Sequence, residues 1–205
     1  MKKMMLAGLY KIAKSDVEKA SLVLGRVFHD GPLMIQAIPD EDERRQKLPL
    51  VFEVSIRFAL KYGGVYAPSD NLEGIAIILP YKQTDVTYWR LLRSGALRPL
   101  MKLGKINRRL QEILAPVIKD QKEILKRDYL YLQTIGVLPK LQGHGFGGKL
   151  LRAIIEYADN EEIPIYLETT EEDVKLYKRF GFQVLKKRKL ATIDLNMLEM
   201  ARETK

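Results

Sequence analysis

Hydrophobic positions recur with periods of 2 and 3.6 residues along the chain, and together they predict a mixed α/β fold. Ser15 and Glu18 form a capping-box pattern that predicts the start of a first helix. A second helical pattern carries Pro49 at a position that disfavours helix. Two short apolar runs joined by the turn-rich segment 68–71 then predict a β-hairpin. We expect a strand at 8–13, helices at 15–29 and 40–62, and hairpin strands at 65–67 and 74–79.

The rest of the chain predicts a helical segment followed by alternating strands and helices. Residues 84–127 read as helix with breaks near Gly95, Pro99, Gly104 and Pro116. We then expect strands at 129–137 and 163–169, a loop at 138–142, helices at 145–157 and 171–179, and closing strands at 182–185 and 191–198. No repeat or linker divides the chain, so we interpret residues 1–205 as one domain.

The composition excludes several kinds of site. There are no cysteines and only two histidines, His29 and His144, so we expect no metal site, no cysteine nucleophile and no Ser-His-Asp triad. No apolar run approaches the roughly 18 residues that a bilayer crossing needs. The apolar stretch after the basic residues 1–3 stops at Lys11 without a cleavage-like site. We therefore expect a cytoplasmic protein without a membrane partner.

The formal net charge of +9 suits an anionic ligand but does not identify one. Basic residues are dense in 98–127, where Glu112, Asp120 and Glu123 interrupt them. We interpret this segment as a solvated helix face and do not expect nucleic acid as a partner. A second basic run, 186–189, is expected in the turn between the closing strands, where it could attract an anion or simply aid solubility.

A glycine-rich turn at 142–148 lies between a predicted strand and a predicted helix. Its sequence is Gln142-Gly143-His144-Gly145-Phe146-Gly147-Gly148. Glycines let backbone amides approach a ligand closely, and the start of a helix favours an anion. Each glycine also weakens the helix by up to about 1 kcal/mol, so a purely structural turn explains the sequence less well than a phosphate site. The adjacent Lys149 adds positive charge.

Gly143, Gly145 and Gly148 also match the dinucleotide-binding pattern G-x-G-x-x-G, with Glu168 following 20 residues later. However, five residues separate Val137 from Gly143, and only 57 residues follow Gly148, too few for a six-stranded dinucleotide fold. The Walker pattern fails because neither Ser nor Thr follows Lys149. A nucleotide-dependent enzyme is therefore our last-ranked alternative.

Two ordered motifs in the final third resemble a known family. The strand before Leu138-Pro139 and the segment Gln142-x-x-Gly145-x-Gly147 resemble motif A of the GNAT superfamily of acetyl-CoA-dependent N-acetyltransferases, Q/R-x-x-G-x-G/A. Residues 165–170 and Tyr177-x-x-x-Gly181-Phe182 are similar to that family's next strand and its Y-x-x-x-G-F segment. The motifs cover about residues 129–185. The resemblance implies a GNAT-type fold, a central twisted and mostly antiparallel sheet flanked by helices, with residues 84–127 as a helical insertion before the acetyl-CoA-binding strand.

Residues 131–137 and 167–170 are similar to the branch of the superfamily that includes puromycin N-acetyltransferase. That branch commonly carries Asn-x-x-x-Phe-Tyr before its G-F pair. This chain instead has the run Asp173-Val174-Lys175-Leu176-Tyr177, in which only Tyr177 is kept. The similarity therefore does not carry a substrate preference with it.

The resemblance implies direct transfer of acetyl from acetyl-CoA to an amine, without a covalent enzyme intermediate. Tyr177 would be the general acid for the leaving thiolate, and the Val137 N–H would polarise the thioester carbonyl. Glu168 would be the general base, or would contact a cationic acceptor, or would be an idle solvated carboxylate. The residues expected to bind acetyl-CoA are Ile135, Gly136, Val137, Gln142, Gly143, His144, Gly145, Phe146, Gly147, Gly148 and Lys149.

Several readings stay open at this point. Tyr177 could be a packing residue, and Tyr129 and Tyr131, expected on one strand face with Gln133 and Ile135, could line an acceptor pocket or only fill the core. The acceptor could be a small-molecule amine or a protein amine, and the chain could be a monomer or a homodimer. The alternative function is a non-catalytic CoA- or RNA-binding regulatory module on the same fold, with the basic segment 98–127 as its working surface.

Overall fold

A computed structural model describes residues 4–125 and 127–204, and its central feature is a twisted sheet. Within these residues seven strands pair in the order β1-β2-β3-β4-β5-β7-β6, and only the β4–β5 pair is parallel. The expectation of a mostly antiparallel sheet flanked by helices is thus confirmed. The strands are β1 Tyr10–Lys11, β2 Gly64–Ala67, β3 Gly74–Pro80, β4 Leu130–Val137, β5 Ile165–Thr170, β6 Gln183–Leu190 and β7 Leu195–Arg202.

Helices cover both faces of the sheet, and each face has its own hydrophobic core. The described helices are α1 Val17–Val27, α2 Pro32–Ala37, α3 Glu41–Tyr62, α4 Tyr88–Ser94, α5 Leu97–Leu103, α6 Lys105–Ile124, α7 Phe146–Asn160 and α8 Val174–Arg179. The core that we name the insertion face contains residues of α1, α3 and α6, and the core that we name the α7 face contains residues of α7 and α8. None of the helices within 4–125 and 127–204 is long and apolar enough to cross a membrane.

The N-terminal region differs in detail from its sequence pattern. Only Tyr10 and Lys11 form the expected first strand. Ser15 does not cap the first helix; the Asp16 carboxylate instead accepts the Ala13 amide at 2.8 Å, within a short 3₁₀ turn that precedes α1. Pro49 is accommodated inside α3 because its ring packs against Gly25, where a side chain would come within 3.0 Å of it.

The segment 84–127, expected to be a helical insertion, forms three helices among its described residues. The expected breaks at Gly95 and Gly104 are confirmed, and both glycines have positive φ angles. The expected breaks at Pro99 and Pro116 are wrong, since these prolines lie within α5 and α6. Residue 126 and the basic residues 1–3 lie outside the described residues.

Two strands that frame the site also depart from the expected pattern. The basic run 186–189 lies within β6 and not in a turn, because the strand continues to Leu190. In β4, Gln133 is an extra residue between the pairs Leu132–Ile78 and Thr134–Ile77. This bulge shifts the alternation of side chains, so Tyr131 packs on the insertion face while Ile135 packs on the α7 face. The expectation that these two residues share a face is therefore wrong.

Candidate active site

The parallel strands β4 and β5 separate soon after they begin. They pair only at Leu130–Ile165 and Tyr131–Tyr166, although β4 continues to Val137 and β5 to Thr170. On its other side β4 stays paired with β3 up to Val137. The sheet is consequently open between β4 and β5 beyond the bulge at Gln133, and we name this opening the β4–β5 gap.

Backbone amides of β4 face this gap. The Leu138 amide donates to the Glu73 carbonyl at 2.9 Å, on the side of β3. Because successive amides of a strand point to opposite sides, those of Val137 and Ile135 point toward β5. Neither has an acceptor among the described residues. Two donors at this spacing can bind a ligand that carries amide groups, as a peptide binds to the edge of a sheet.

The glycine-rich turn continues from the end of β4 into α7. Gly143 and Gly145 have φ angles of 81° and 86°, and at both positions a Cβ would meet no atom within 4 Å. Gly145 is the N-cap of α7, so the first amides of the helix have no partner within it. Within the described part of the chain, no backbone amide from Gly143 to Gly148 has an acceptor. This exposed row of donors at a helix start fits a phosphate group.

Side chains of the turn secure it to its surroundings. Gln142 Nε2 donates to the Val137 carbonyl at 3.3 Å, which joins the turn to the end of β4. His144 Nδ1 lies 3.0 Å from the Gln142 carbonyl oxygen. Lys149 Nζ donates to the Pro68 carbonyl at 2.7 Å. Of the expected cofactor-binding residues, these three therefore have side-chain partners within the protein, while Phe146 and the glycines offer backbone amides.

Tyr177 lies on α8, behind the turn, with 7% of its surface exposed. Its ring meets the Phe182 ring edge-on at a centroid distance of 5.7 Å, in the core of the α7 face. Its hydroxyl has no hydrogen-bond partner among the described residues. Burial, and then the nearby Asp173 carboxylate, raise the pKa of Tyr177 above its ordinary value. The phenol is therefore protonated at neutral pH.

Glu168 lies on the opposite face of the sheet from Tyr177. Leu167 of β5 packs in the α7-face core with Tyr177, so the neighbouring residues Tyr166 and Glu168 point to the insertion face. Burial raises the pKa of Glu168 to about 7, although the phenols of Tyr131 and Tyr166 favour its charged form. A half-buried carboxyl that titrates near neutral pH is suited to accept a proton from an amine.

Aromatic side chains surround this carboxyl. The ring centroids of Tyr129 and Tyr131 lie 5.3 Å and 6.0 Å from that of Tyr166, and Tyr81 lies 4.8 Å from Tyr129. Tyr129 and Tyr166 are fully buried, whereas Tyr131 is partly exposed. Tyr131 is thus the tyrosine of this group that a ligand beside Glu168 would reach first.

The sequence reasoning missed two buried acidic residues, one opposite Glu168 and one adjacent to that first residue. Glu199 of β7 is directly opposite Glu168 in the antiparallel β5–β7 pair and is fully buried. Asp120 of α6 is also buried, and its Oδ2 accepts bonds from Lys186 at 2.7 Å and from the Arg188 Nε at 2.5 Å. The sequence does carry one signal for Glu199, since it is the single acidic residue in the largely apolar strand 195–202. The expected insertion therefore supplies a buried acid to the site.

The insertion face is closed across the far end of β5. Arg109 of α6 donates to the Gln36 carbonyl at 2.9 Å. The Gln36 side chain in turn accepts the Asp194 amide at 2.9 Å and donates to the Asp194 carbonyl at 3.3 Å. Helix α2, helix α6 and the β6–β7 turn are joined by these bonds. No group of three side chains that could hold a metal ion occurs among residues 4–125 and 127–204.

Comparisons with known proteins agree with this geometry. A family model described as the acetyltransferase (GNAT) family matches residues 107–182. The chain is 29% identical over 180 residues to an uncharacterized N-acetyltransferase of Schizosaccharomyces pombe. The aligned residues cover 84% of this chain and 72% of that relative.

Solved structures share the fold over nearly the whole chain. One, described as histone acetyltransferase HPA2 and related acetyltransferase from Corynebacterium glutamicum, has a TM-score of 0.66 at 21% identity and covers 98% of both chains. Arylalkylamine N-acetyltransferase 2 of Aedes aegypti has a TM-score of 0.62 at 12% identity and covers 96% of this chain and 98% of its own. The family match over residues 107–182 and the shared fold make this chain similar to the GNAT superfamily of N-acetyltransferases, and the open β4–β5 gap and the glycine turn agree with that similarity.

Proposed function

We propose that the protein transfers acetyl from acetyl-CoA directly to a small-molecule amine, with Tyr177 as general acid and Glu168 as general base. The observation that carries the proposal is the β4–β5 gap, which has unpartnered amides along one side and the glycine turn at its end. Acetyl-CoA supplies the activated acetyl thioester. The residues of this chain bind it, orient it and move the two protons.

The binding residues divide by the part of the cosubstrate that they suit. The amides of Gly143 to Gly148 suit the pyrophosphate, because they lie in an exposed turn at the start of α7. Ile135 and Val137 suit the amide-bearing pantetheine arm, and Gly136 between them keeps β4 close to α1, where a side chain would clash with Val27. Gln142, His144 and Lys149 hold the turn in this arrangement. The Val137 amide is the donor proposed for the thioester carbonyl oxygen.

The two proton-transfer groups act from opposite faces of the sheet. Glu168 takes a proton from the acceptor ammonium on the insertion face, which leaves a neutral amine able to attack. Tyr177 donates its phenolic proton to the departing thiolate on the α7 face, and the second proton that the acceptor nitrogen loses as the amide forms restores the phenol. The β4–β5 gap is an opening in the sheet through which groups on both faces can reach one thioester carbonyl.

A small acceptor fits the insertion face better than a protein segment does. The bonds among Arg109, Gln36 and Asp194 join α2, α6 and the β6–β7 turn across the end of β5. An extended peptide would have to separate these elements. The tyrosines around Glu168 favour an ammonium group with an apolar or aromatic substituent, since phenol rings attract cations.

Calorimetric titration with acetyl-CoA tests the cosubstrate, with NAD and ATP as controls. We expect acetyl-CoA to bind in the micromolar range and neither control to bind. The variant Gly145→Val should weaken acetyl-CoA binding, because valine strongly disfavours the φ angle of 86°. Wild-type affinity in this variant, with its fold intact, would remove the glycine turn from the proposal.

Steady-state kinetics on a panel of small amines tests the two proton-transfer roles. We expect Tyr177→Phe and Glu168→Gln each to lower kcat by about 10²-fold to 10⁴-fold while the affinity for acetyl-CoA changes little. Leu176→Ala is the matched control for α8, since Leu176 is exposed on the same helix. Full activity in either test variant would disprove the role assigned to that residue.

A further inference from the structure

The insertion face contains a second carboxyl group that the proposed reaction does not use. Glu199 is fully buried, and neither of its side-chain oxygens has a hydrogen-bond partner among the described residues. Such a group costs free energy unless it has a role or carries a proton. Its position opposite Glu168 on the adjacent strand places both side chains on one face of the sheet.

Tyr166 lies near both carboxyl groups. It is fully buried, two residues before Glu168 on the same face of β5, and its hydroxyl has no partner at hydrogen-bond geometry among the described residues. Burial, and then the charges of Glu168 and Glu199, raise the pKa of Tyr166. The phenol therefore keeps its proton and can donate it to either carboxyl group, but to only one at a time.

The charges around Glu199 favour its protonated form. Burial and the adjacent Asp120 carboxylate raise the pKa of Glu199 to about 7, although Lys186 and Tyr166 oppose this. Asp120 itself remains charged: despite its burial, bonds from Lys186 and Arg188 hold its pKa below the ordinary value. All the contacts of Lys186 and Arg188 with Asp120 are to its Oδ2. The cations therefore neutralise Asp120 and not Glu199.

The titratable groups that face the pair come from four elements. They are Tyr129 and Tyr131 at the start of β4, Tyr166 on β5, Asp120 on α6, and Lys186 with Arg188 on β6. The tyrosines are neutral at physiological pH, and the two cations are paired with Asp120. No cation in the described part of the chain bonds to Glu168 or Glu199 directly, so a single proton is the available means of reducing their mutual repulsion.

We propose that Glu199 is a positioning residue of the amine-binding side, where it forms with Glu168 a carboxyl pair that holds one proton between its two members in the resting enzyme. The inference rests on the proposed role of Glu168 as general base. When an acceptor ammonium binds, one N–H bond breaks and an O–H bond forms on the pair. The ammonium becomes a neutral amine, and the pair changes from a charge of minus one to neutral. The half-buried Glu168 returns the second proton to solvent.

The role of Glu199 in this step is to set the proton affinity of Glu168. A lone, partly exposed carboxylate would be a weak base near neutral pH. A neighbouring carboxyl group that competes for the same proton raises the affinity of the pair, so its two protons are released in two separate steps. Glu168 can then accept a proton from an amine without a histidine in the site.

Carboxyl ¹³C NMR of the full chain, labelled at glutamate and free of substrate, measures this coupling. In the wild type we expect two linked titration steps for Glu168 and Glu199. In Glu199→Gln, Glu168 should titrate in one step, with its pKa lowered by about one unit or more. Glu171→Gln is the matched control, because Glu171 is exposed at the end of β5 and bonds to Lys187. An unchanged Glu168 pKa in Glu199→Gln would overturn the proposal.

The pH dependence of kcat/KM provides a second readout that a merely structural role would not move. The acidic limb of the profile should shift to lower pH in Glu199→Gln by the same amount as the NMR titration. If Glu199→Gln does not fold, Asp120→Asn serves instead: removing the adjacent charge should lower the upper pKa of the pair, and no change would overturn the proposal.

The outcomes separate this inference from the proposed function. If Glu168→Gln is inactive and Glu168 titrates independently of Glu199, Glu168 remains the general base and the proposed carboxyl pair is overturned. A fully active Glu168→Gln together with a coupled titration would disprove the base and, with it, the catalytic role of the pair.

Discussion

The buried carboxyl group of Glu199 has a consequence for folding that can be measured without any substrate. Its pKa is raised from 4.5 to about 7 in the folded protein, with burial as the main cause and Asp120 as the second. Above pH 4.5 the unfolded chain releases this proton while the folded protein retains it. The free energy of unfolding therefore falls as the pH rises from about 4.5 to about 7 and then levels off. Over this window the loss amounts to about 3 kcal/mol.

The variant Glu199→Gln should remove this loss, because glutamine resembles the protonated acid in shape and does not titrate. At pH 5 we expect wild type and variant to have similar stability. At pH 8 the variant should be more stable by up to about 3 kcal/mol, the upper limit set by the linkage. Exposed Glu171→Gln should show no such trend, since more than half of that side chain is in solvent.

Urea unfolding at pH 5, 6, 7 and 8 provides the measurement, with the midpoint and slope determined for each protein. An equal or lower stability of Glu199→Gln at pH 8 would refute the reasoning. It would mean that the ionised carboxylate of Glu199 is stabilised by a bond in the folded protein.

Three further tests, with five substitutions in all, address other parts of the structure. Asp40→Ala should lower the free energy of unfolding, measured in urea, by about 1 kcal/mol, because Asp40 Oδ1 accepts a hydrogen bond from the Glu43 amide at 2.7 Å at the start of α3. Ser15→Ala should change this free energy by less than about 0.5 kcal/mol. Equal losses in the two variants would contradict the assignment of these caps. Gly63→Ala should cost more than about 2 kcal/mol, because its Cβ would lie 2.2 Å from the Ile78 carbonyl oxygen. Gly147→Ala, with 3.6 Å to Val137 Cγ2, should change stability little, and a loss equal to that of Gly63→Ala would refute this comparison. Lys149→Met should weaken acetyl-CoA binding, measured by calorimetry, by less than about fivefold. The Lys149 ammonium is bonded to the Pro68 carbonyl, and one exposed charge is worth at most about 1 kcal/mol. A larger loss would mean that Lys149 contacts acetyl-CoA directly.

Local chemistry explains which parts of the site the sequence could predict. Gly143 and Gly145 adopt positive φ angles that other residues disfavour, so the glycines themselves mark this backbone conformation in the sequence. Tyr177 is followed by Gly181 and Phe182 at a fixed spacing, and the same short segment builds α8 and the start of the next strand. These features depend on neighbours within a few residues, and a single sequence is sufficient to find them.

Features that depend on pairing between distant segments escaped prediction. The bulge at Gln133 exists only relative to the register of β3, and nothing in the alternation of β4 marks it. Glu199 lies opposite Glu168 because β5 and β7 are adjacent, although 30 residues separate them in the chain. The run 186–189 has charges at every position, which hides the two-residue period by which Lys186 and Arg188 turn inward to Asp120. Strand pairing and register depend on segments far apart in the chain, so they cannot be found from the residues of one segment alone.

The short contact between β4 and β5 divides the sheet into two panels. One panel contains β1 to β4 and the other contains β5 to β7, and the strands at their junction pair at only two positions. Away from this junction, the panels are bridged by side chains of the insertion, such as Asp120 with Arg188. A ligand that fills the β4–β5 gap and bonds to the edge of β4 would hold the two panels together for as long as it is bound. Its arrival should slow amide hydrogen exchange on both panels at once and raise the melting temperature in proportion to the logarithm of its concentration.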